Sequence, residues 1–281
     1  MGNRRQFEFI HWGIKSFENM RFAVHQTSRI GGRKYNQDRV AYAYTDSSFL
    51  LVLADGMGGH THGEIAAQIA IHTFMQEFAK SAKPTISEPA LFLRETMKGC
   101  HQAINNYTHI NALEGSPGTT CVAALVQDGK VSWAHAGDSR LYLVREGKVV
   151  KVTRDHSVVQ QLADWGIITK EEMKTHQDRN KITNCLGGVD DIFYVEASSS
   201  TDMQSGDVLL LCSDGFWSPL SNDEIAVGLA HGELSNSLAQ LVDIALYREK
   251  ERADNTTAIV ARLGDVEEEH KTDMPVCMIL D

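Results

Sequence analysis

Short apolar runs of strand length recur along the chain, and several are joined by turns of two or three residues. Antiparallel strands can be linked by so tight a turn, whereas parallel strands need a crossover of about a dozen residues. The runs cover 21–26, 38–44, 49–54, 119–126, 130–136, 140–145, 148–153, 207–213 and 256–263. Gln127-Asp128-Gly129 and Glu146-Gly147 read as hairpin turns. Helical patterns lie between the runs. In 64–79, Ala67, Ile71, Phe74 and Phe78 share one face. A second helix is expected over 88–108, and one or two more over 222–250. The pattern predicts an α+β domain of antiparallel sheets with helices packed outside.

Two regions break this pattern. Residues 155–190 form a polar helical insert, with one short helix ending at Gly166 and a capping-box start at 169–172. The segment 265–281 is an acidic tail, expected to be non-helical until "VCMIL". With 281 residues, 42% of them hydrophobic, and no Gly/Ser-rich linker, the chain suits one large domain over 21–264. Residues 1–20 form an N-terminal extension, and no repeat or low-complexity run is present.

Charge and cysteine content narrow the function classes. The net charge is −10, with no Lys/Arg cluster, which argues against nucleic acid as a partner. An acidic protein that handles an anion needs a local device to offset its own field, and a bound cation is the usual one. Cys100, Cys121, Cys185, Cys212 and Cys277 are odd in number and lack C-x-x-C spacing, as expected of reduced thiols in the cytoplasm. The N-terminus has no signal-peptide core, and Gln6 stands where a myristoylation motif wants Ser or Thr. No apolar run approaches the ~20 residues of a membrane span, so no membrane partner is expected.

The strand pattern also gathers carboxylates. Asp55 and Asp214 each follow an apolar run and precede a glycine. Asp38 and Asp254 stand at or just before the start of a run, and Asp138 occupies a hairpin turn. Antiparallel neighbours share an edge, so these five aspartates are expected to converge on one rim. Like charges so placed repel unless cations sit among them. All-oxygen donors favour Mg2+ or Mn2+ over Zn2+. Taken singly, each Asp-Gly is better explained as turn chemistry. "DGMGGH" lacks the Lys-Ser/Thr of a phosphate-binding P-loop, and His60 and His62 show no zinc spacing.

These residues occur within motifs that resemble the metal-dependent Ser/Thr protein phosphatases, the type 2C or PPM family, in bacterial form. In family order they are "GGRKYNQD" at 31–38, "LADGMGGHTHGEIA" at 53–66, "GTT" at 118–120, "AHAGDSRLYLVREG" at 134–147, "TRDHS" at 153–157, "LCSDGFW" at 211–217 and "ADNTTAIV" at 253–260. The resemblance implies a four-layer α-β-β-α sandwich with two central antiparallel sheets. It implies a paired-metal centre of Asp38, Asp55, the Gly56 carbonyl, Asp214 and Asp254, with Asp138 and Asp214 sharing a third, weaker ion. Arg33 matches the arginine that grips the substrate phosphate, and a metal-bridged hydroxide is the family's nucleophile. Arg33, Asp38, Asp55, Asp214 and Asp254 are thus the expected catalytic set. The expected partners are phosphoserine and phosphothreonine proteins and a cognate Ser/Thr kinase, for a monomer in the cytoplasm.

Two positions depart from the family pattern. Gln37 stands where many members have Glu, and Met57 where some carry a histidine proposed as general acid. A thioether cannot donate that proton. His135 and His156 read as structural hydrogen-bonders. The insert 155–190 corresponds to the family's flap, with "HQDRNKITN" at 176–184 its candidate substrate contact. Two other functions fit the same fold, a silent phosphoprotein-binding module and a structural cation-binding domain. The intact acidic positions weigh against the first, and Arg33 against the second.

Overall fold

Two-residue turns close the hairpins as the sequence predicts. Asp128 and Gly129 have φ of 51° and 70°, and Glu146 and Gly147 have φ of 50° and 71°. Positive φ at both central residues gives the turn a twist that matches the flanking strands. In this computed structural model the described residues are 13–17, 20–45, 47–57, 62–83, 85–113, 115–188, 193–198, 200–264 and 278–280.

The strands are β1 (Gly13–Phe17), β2 (Met20–Arg29), β3 (Asp38–Tyr44), β4 (Ser48–Met57), β5 (Gly118–Thr119), β6 (Cys121–Gln127), β7 (Lys130–Ala136), β8 (Arg140–Arg145), β9 (Lys148–Val152), β10 (Leu186–Gly187), β11 (Glu196–Ala197), β12 (Thr201–Asp202), β13 (Val208–Cys212), β14 (Thr256–Leu263) and β15 (Met278–Leu280). The helices are α1 (Gly63–Ser81), α2 (Pro89–Ile110), α3 (Val158–Asp164), α4 (Lys170–Met173), α5 (Asp214–Trp217), α6 (Asn222–Ala230) and α7 (Leu234–Glu249). One sheet runs β1-β2-β14-β13-β8-β9. The other follows β10-β5-β4-β6-β7-β11, with β3 beside β4, β15 beside β3, and β12 beside β7. Every pairing is antiparallel.

Alternation along the strands sets the layers. Phe49, Leu51 and Leu53 join Val24, Leu141, Leu143, Leu209, Leu211 and Ile259 in a core drawn from both sheets, which therefore lies between them. Leu50, Val52 and Ala54, on the other face of β4, pack with Ala67, Ile71, Phe74 and Phe78 of α1 and Leu93 and Met97 of α2. On the far side, Tyr142, Leu210 and Val260 pack with Phe216, Ile225, Leu229, Leu238 and Leu241. The result is the expected four-layer α-β-β-α sandwich. Each large side chain so buried stabilises the fold by about 1.5–3 kcal/mol, and a one-residue slip in register would turn either face of β4 toward the wrong core.

The structure sharpens several sequence expectations. β4 continues through Asp55 and Gly56 to Met57 because Gly56 and Met57 pair with Thr119 and Gly118. Asp55 is therefore inside a strand, not just past its end. The run 119–126 is interrupted at Thr120, and Asp214 opens the short helix α5. In the polar insert, Thr169 and Glu172 form the predicted capping box. Of the expected extension 1–20, residues 1–12, 18 and 19 lie outside the described residues, and so do His60 and residues 265–277 of the tail. Within "VCMIL", Met278–Leu280 pairs along the edge of β3. Cys100, Cys121 and Cys212 are free thiols, and burial pushes all three up, away from the reactive thiolate. Among the described residues no helix is long and apolar enough to cross a membrane.

Candidate metal centre

Strand register builds the acidic rim one pair at a time. In the β3–β4 ladder, Asp38 lies directly opposite Asp55. In the other sheet, β13 pairs with β14 on one side and β8 on the other, with Cys212 opposite both Ala258 and Arg140. Asp214 thus leaves β13 beside the residues that lead into β14, including Asp254, and beside the turn that holds Asp138. Stacking the sheets joins the two groups. Asp55 is repelled by Asp38, Asp214, Asp138 and Asp254, and Asp214 by Asp138, Asp254 and Asp38. All five predicted aspartates therefore meet at one edge of the sandwich.

The electrostatics follow from crowding without compensation. Asp38 and Asp138 are buried, and Asp55 and Asp214 are half-buried. Desolvation, and after it the charge of Asp254, pushes Asp38 up to about 6, despite hydroxyl donors that favour its ionised form. Desolvation and then Asp155 push Asp138 up to about 7. Desolvation and then the neighbouring carboxylates hold Asp55 and Asp214 well above the ordinary carboxylate range. Asp38 Oδ1 is buried and has no hydrogen-bond partner. Arg33, exposed at the mouth of the rim, forms an ion pair with Asp254.

Gly56 is needed for close approach rather than for a left-handed turn. A Cβ there would lie 2.3 Å from the Gly63 carbonyl oxygen and 2.9 Å from the Gln37 carbonyl oxygen. This corrects the expectation that the glycine serves chiefly to turn the chain. The Asp55 backbone is clamped beside it. Its N–H donates to Thr120 Oγ1 at 3.2 Å, and its carbonyl accepts from the Thr120 N–H at 2.9 Å.

The Arg33 loop hangs on Asn255. Asn255 Nδ2 donates to the carbonyls of Ile30 (2.9 Å) and Tyr35 (3.2 Å), and its Oδ1 accepts from the Gln37 N–H (2.8 Å). The Gln37 side chain turns to α1, donating to Glu64 at 3.1 Å. Sequence reasoning missed Asn255, although it directly follows Asp254 in "ADNTTAIV". It also missed Ser213, which precedes Asp214 and donates to Asp38 Oδ2 at 2.8 Å. The signal in both cases was a polar residue adjoining a rim aspartate at the end of a buried strand.

His135, His156 and Glu196 place ligand-type atoms within 4.8 Å of one another. The hydrogen bonds argue against a second metal site. His156 Nδ1 accepts from the Gly137 N–H (3.2 Å) and from Asn184 Nδ2 (2.9 Å), so its proton is on Nε2, facing Glu196 at 3.3 Å. The two rings stack with centroids 4.5 Å apart and 23° between planes, so their in-plane lone pairs run side by side. His135 Nε2 donates to the Arg154 carbonyl at 2.8 Å. Both histidines are structural hydrogen-bonders, as the sequence predicts. They anchor the insert that carries α3 and α4. The His156 N–H donates to the Gly137 carbonyl, and its carbonyl accepts from the Thr183 N–H at 2.7 Å. His62 opens α1 with φ of 81° and no side-chain cap bond. Met57 ends β4, half-buried.

The geometry agrees with what the chain is similar to. The sequence profile of the protein phosphatase 2C family matches residues 25–254. The serine/threonine protein phosphatase PstP of Mycobacterium tuberculosis is 36% identical over 239 residues, which are 83% of this chain and 43% of PstP. The chain therefore spans less than half the length of that relative. Protein phosphatase PhpP of Streptococcus pneumoniae is 34% identical over 194 residues, 69% of this chain and 78% of PhpP. Among solved structures, the S. agalactiae serine/threonine phosphatase superposes with a TM-score of 0.78 at 29% identity, covering 86% of this chain and 99% of that one. The PstP catalytic domain in complex with two manganese ions superposes with a TM-score of 0.73 at 31% identity, covering 87% and 99%. With its sandwich, its acidic rim and a family match across most of its length, the chain belongs to the protein phosphatase 2C family.

Proposed function

We propose that the protein is a metal-dependent protein serine/threonine phosphatase, hydrolysing phosphoserine and phosphothreonine monoesters. The observation that carries this reading is a rim of four carboxyl groups held above their ordinary pKa range, with an arginine at its mouth. A phosphomonoester brings about −1.5 to −2 charges, and such a rim repels it unless cations intervene. Three features fit hard divalent ions. The donors are oxygens, Asp38 Oδ1 is buried without a partner, and the Gly56 backbone leaves no space for a Cβ beside Asp55.

Asp38, Asp55, the Gly56 carbonyl, Asp214 and Asp254 would hold two Mg2+ or Mn2+ ions, and Asp138 with Asp214 a third, weaker one. When bound, the ions supply Lewis-acid polarisation of the phosphate and lower the pKa of the water that attacks phosphorus. The protein's own groups bind and orient. Arg33 offers a planar fork of donors to two phosphate oxygens, a geometry lysine cannot reproduce. Thr120 fixes the Asp55 backbone, and Asn255 fixes the loop that carries Arg33. Met57 cannot protonate the leaving oxygen, and His135 and His156 are committed to other partners. Water, from solvent or held at the cation site, would then supply that proton.

The insert beside the rim contacts the protein substrate through residues 176–184, where loops on a rigid scaffold commonly act. The enzyme opposes a cognate Ser/Thr kinase and works as a cytoplasmic monomer. Phosphate release from p-nitrophenyl phosphate and from phosphothreonine peptides tests the activity. Release that requires added Mn2+ or Mg2+ is the expected result, and no release under any metal condition would contradict it.

A further inference from the structure

The deepest contact with the rim comes from groups that carry no charge. Ser213 and Thr257 are buried at the junction of β13 and β14. The Thr257 N–H donates to Ser213 Oγ at 3.0 Å. That bond occupies a lone pair of the hydroxyl and leaves its proton to donate to Asp38 Oδ2 at 2.8 Å. Oδ1, the other oxygen of the same carboxylate, has no partner.

A second chain of hydrogen bonds starts at the backbone of the same aspartate and ends at Thr257. The Asp38 N–H donates to Asn36 Oδ1 at 3.1 Å, which fixes that amide's orientation. Asn36 Nδ2 then donates to Ser28 Oγ at 2.7 Å. Ser28 Oγ and Thr257 Oγ1 share a hydrogen bond of 2.7 Å that either hydroxyl can donate. Thr257 is also the residue whose N–H holds Ser213 Oγ, so this chain braces the donor of the first. The first chain delivers a proton to Asp38, and the second holds in place the residue that orients its donor. Donors to the back of a carboxylate orient it and keep it anionic, the role outer groups play around metal ligands.

We propose that Ser213 and Thr257 are positioning residues, holding Asp38 so that one oxygen is saturated from behind and the other is presented to the cation site. The inference rests on the phosphatase reading of the rim. It assigns to Ser213 a function that needs the hydroxyl, distinct from filling space. It also explains why a serine directly precedes Asp214: the backbone that aims one acid carries the donor that aims another.

Calorimetric Mn2+ titration of the metal-stripped protein tests this without reference to turnover. Ser213→Ala is expected to weaken Mn2+ binding about tenfold, the lower end of the range for outer-shell partners. Ser213→Thr, which keeps the hydroxyl, is expected to stay nearer wild type than Ser213→Ala. Ser28→Ala, one step further back on the second chain, is expected to weaken binding by about threefold. It also supplies the reading should Ser213→Ala fail to fold. Thermal midpoints separate the roles: a purely structural serine lowers the metal-free midpoint and leaves the Mn2+ affinity unchanged. A Ser213→Ala affinity within twofold of wild type, or a Ser28→Ala affinity equal to wild type where Ser213→Ala cannot be purified, overturns the proposal. If the wild-type protein itself binds no Mn2+, the phosphatase reading fails before the positioning role arises.

Discussion

At one end of β13 stands Asp207, and beyond the other, past the five strand residues and Ser213, stands Asp214. Asp207 is fully buried, and Arg145 grips it through Nε and Nη2, both at 2.7 Å, while the Gln204 N–H donates at 2.8 Å. Asp214 is half-buried, and its neighbours are Asp138, Asp254 and Asp38. The first carboxylate is answered within the chain, so removing either partner would leave a buried charge unmatched. The second is crowded by its own kind, and the partner proposed for it is a cation from outside the chain. Asp155, gripped by Arg140 at 2.8 and 2.7 Å, repeats the first arrangement close to the rim. Whether a buried acid is matched by an arginine separates framework from function here better than burial does.

Exchanging each acid for its amide should break the comparison cleanly. Asp214→Asn is expected to lower phosphatase activity at least about a hundredfold, equivalent to about 3 kcal/mol, and to weaken Mn2+ binding with little loss of stability. Asp207→Asn is expected to cost about 2–3 kcal/mol of stability by leaving Arg145 poorly matched, with Mn2+ affinity unchanged. Denaturant unfolding and calorimetry, run on both variants, check the two halves. Similar effects from both substitutions would dissolve the distinction.

Arg33→Ala sharpens the account of the mouth. It is expected to raise KM for a phosphothreonine peptide about tenfold, the loss of a charge-assisted pair, while Mn2+ affinity stays near wild type. Arg33→Lys should recover only part of the loss, because a point charge cannot fork. Steady-state kinetics on the three proteins decide this.

The pH dependence has a definite sign. Asp38 and Asp138 are pushed up to about 6 and about 7, above the unfolded value of about 4. Their contribution to metal-free stability is therefore full below pH 4 and is lost as pH rises through 6 and 7. His25 and His156, lowered by burial to about 4, act oppositely, contributing above pH 6.5 and losing that contribution toward 4. Mn2+ competes with protons for the aspartates alone. The rise in thermal midpoint on adding Mn2+ should therefore grow from pH 5 to pH 7.5, and thermal scans across that range would show it. An increment independent of pH would count against cation binding at the rim.

A smaller effect is expected at Trp217. Its Nε1 donates to the Asp138 carbonyl at 2.9 Å, and the Arg140 guanidinium lies 3.4 Å from its ring centroid. Trp217→Phe keeps the ring and loses the donor. Loss of one neutral hydrogen bond costs about 1 kcal/mol, so a few-fold weakening of the response assigned to the proposed third ion is expected in Mn2+ titrations of activity, with the higher-affinity phase unchanged.

Much of this was legible in the residues. Two-residue turns at Asp128-Gly129 and Glu146-Gly147 announce antiparallel hairpins, and Ala67, Ile71, Phe74 and Phe78 announce the buried face of α1. The aspartates could be placed at strand ends because a period of two tells where a strand begins and stops. Pairing between distant strands could not be read this way. That β13 lies between β8 and β14 is set by which faces bury together across the chain, and no local pattern carries it. Short elements such as β10, β11 and β12, two residues each, are held by their neighbours and have no signature of their own. The same limit hid Ser213 and Asn255, whose importance lies in partners about 175 and 220 residues away in sequence.

The most direct test follows phosphate release from a phosphothreonine peptide as metal-stripped protein is titrated with Mn2+, for wild type and Asp214→Asn in parallel. The account predicts no release without metal, a rise that saturates with Mn2+ for the wild type, and a response at least about a hundredfold weaker for Asp214→Asn. Equal release by the metal-stripped and metal-loaded wild type, or an undiminished response in Asp214→Asn, would contradict it.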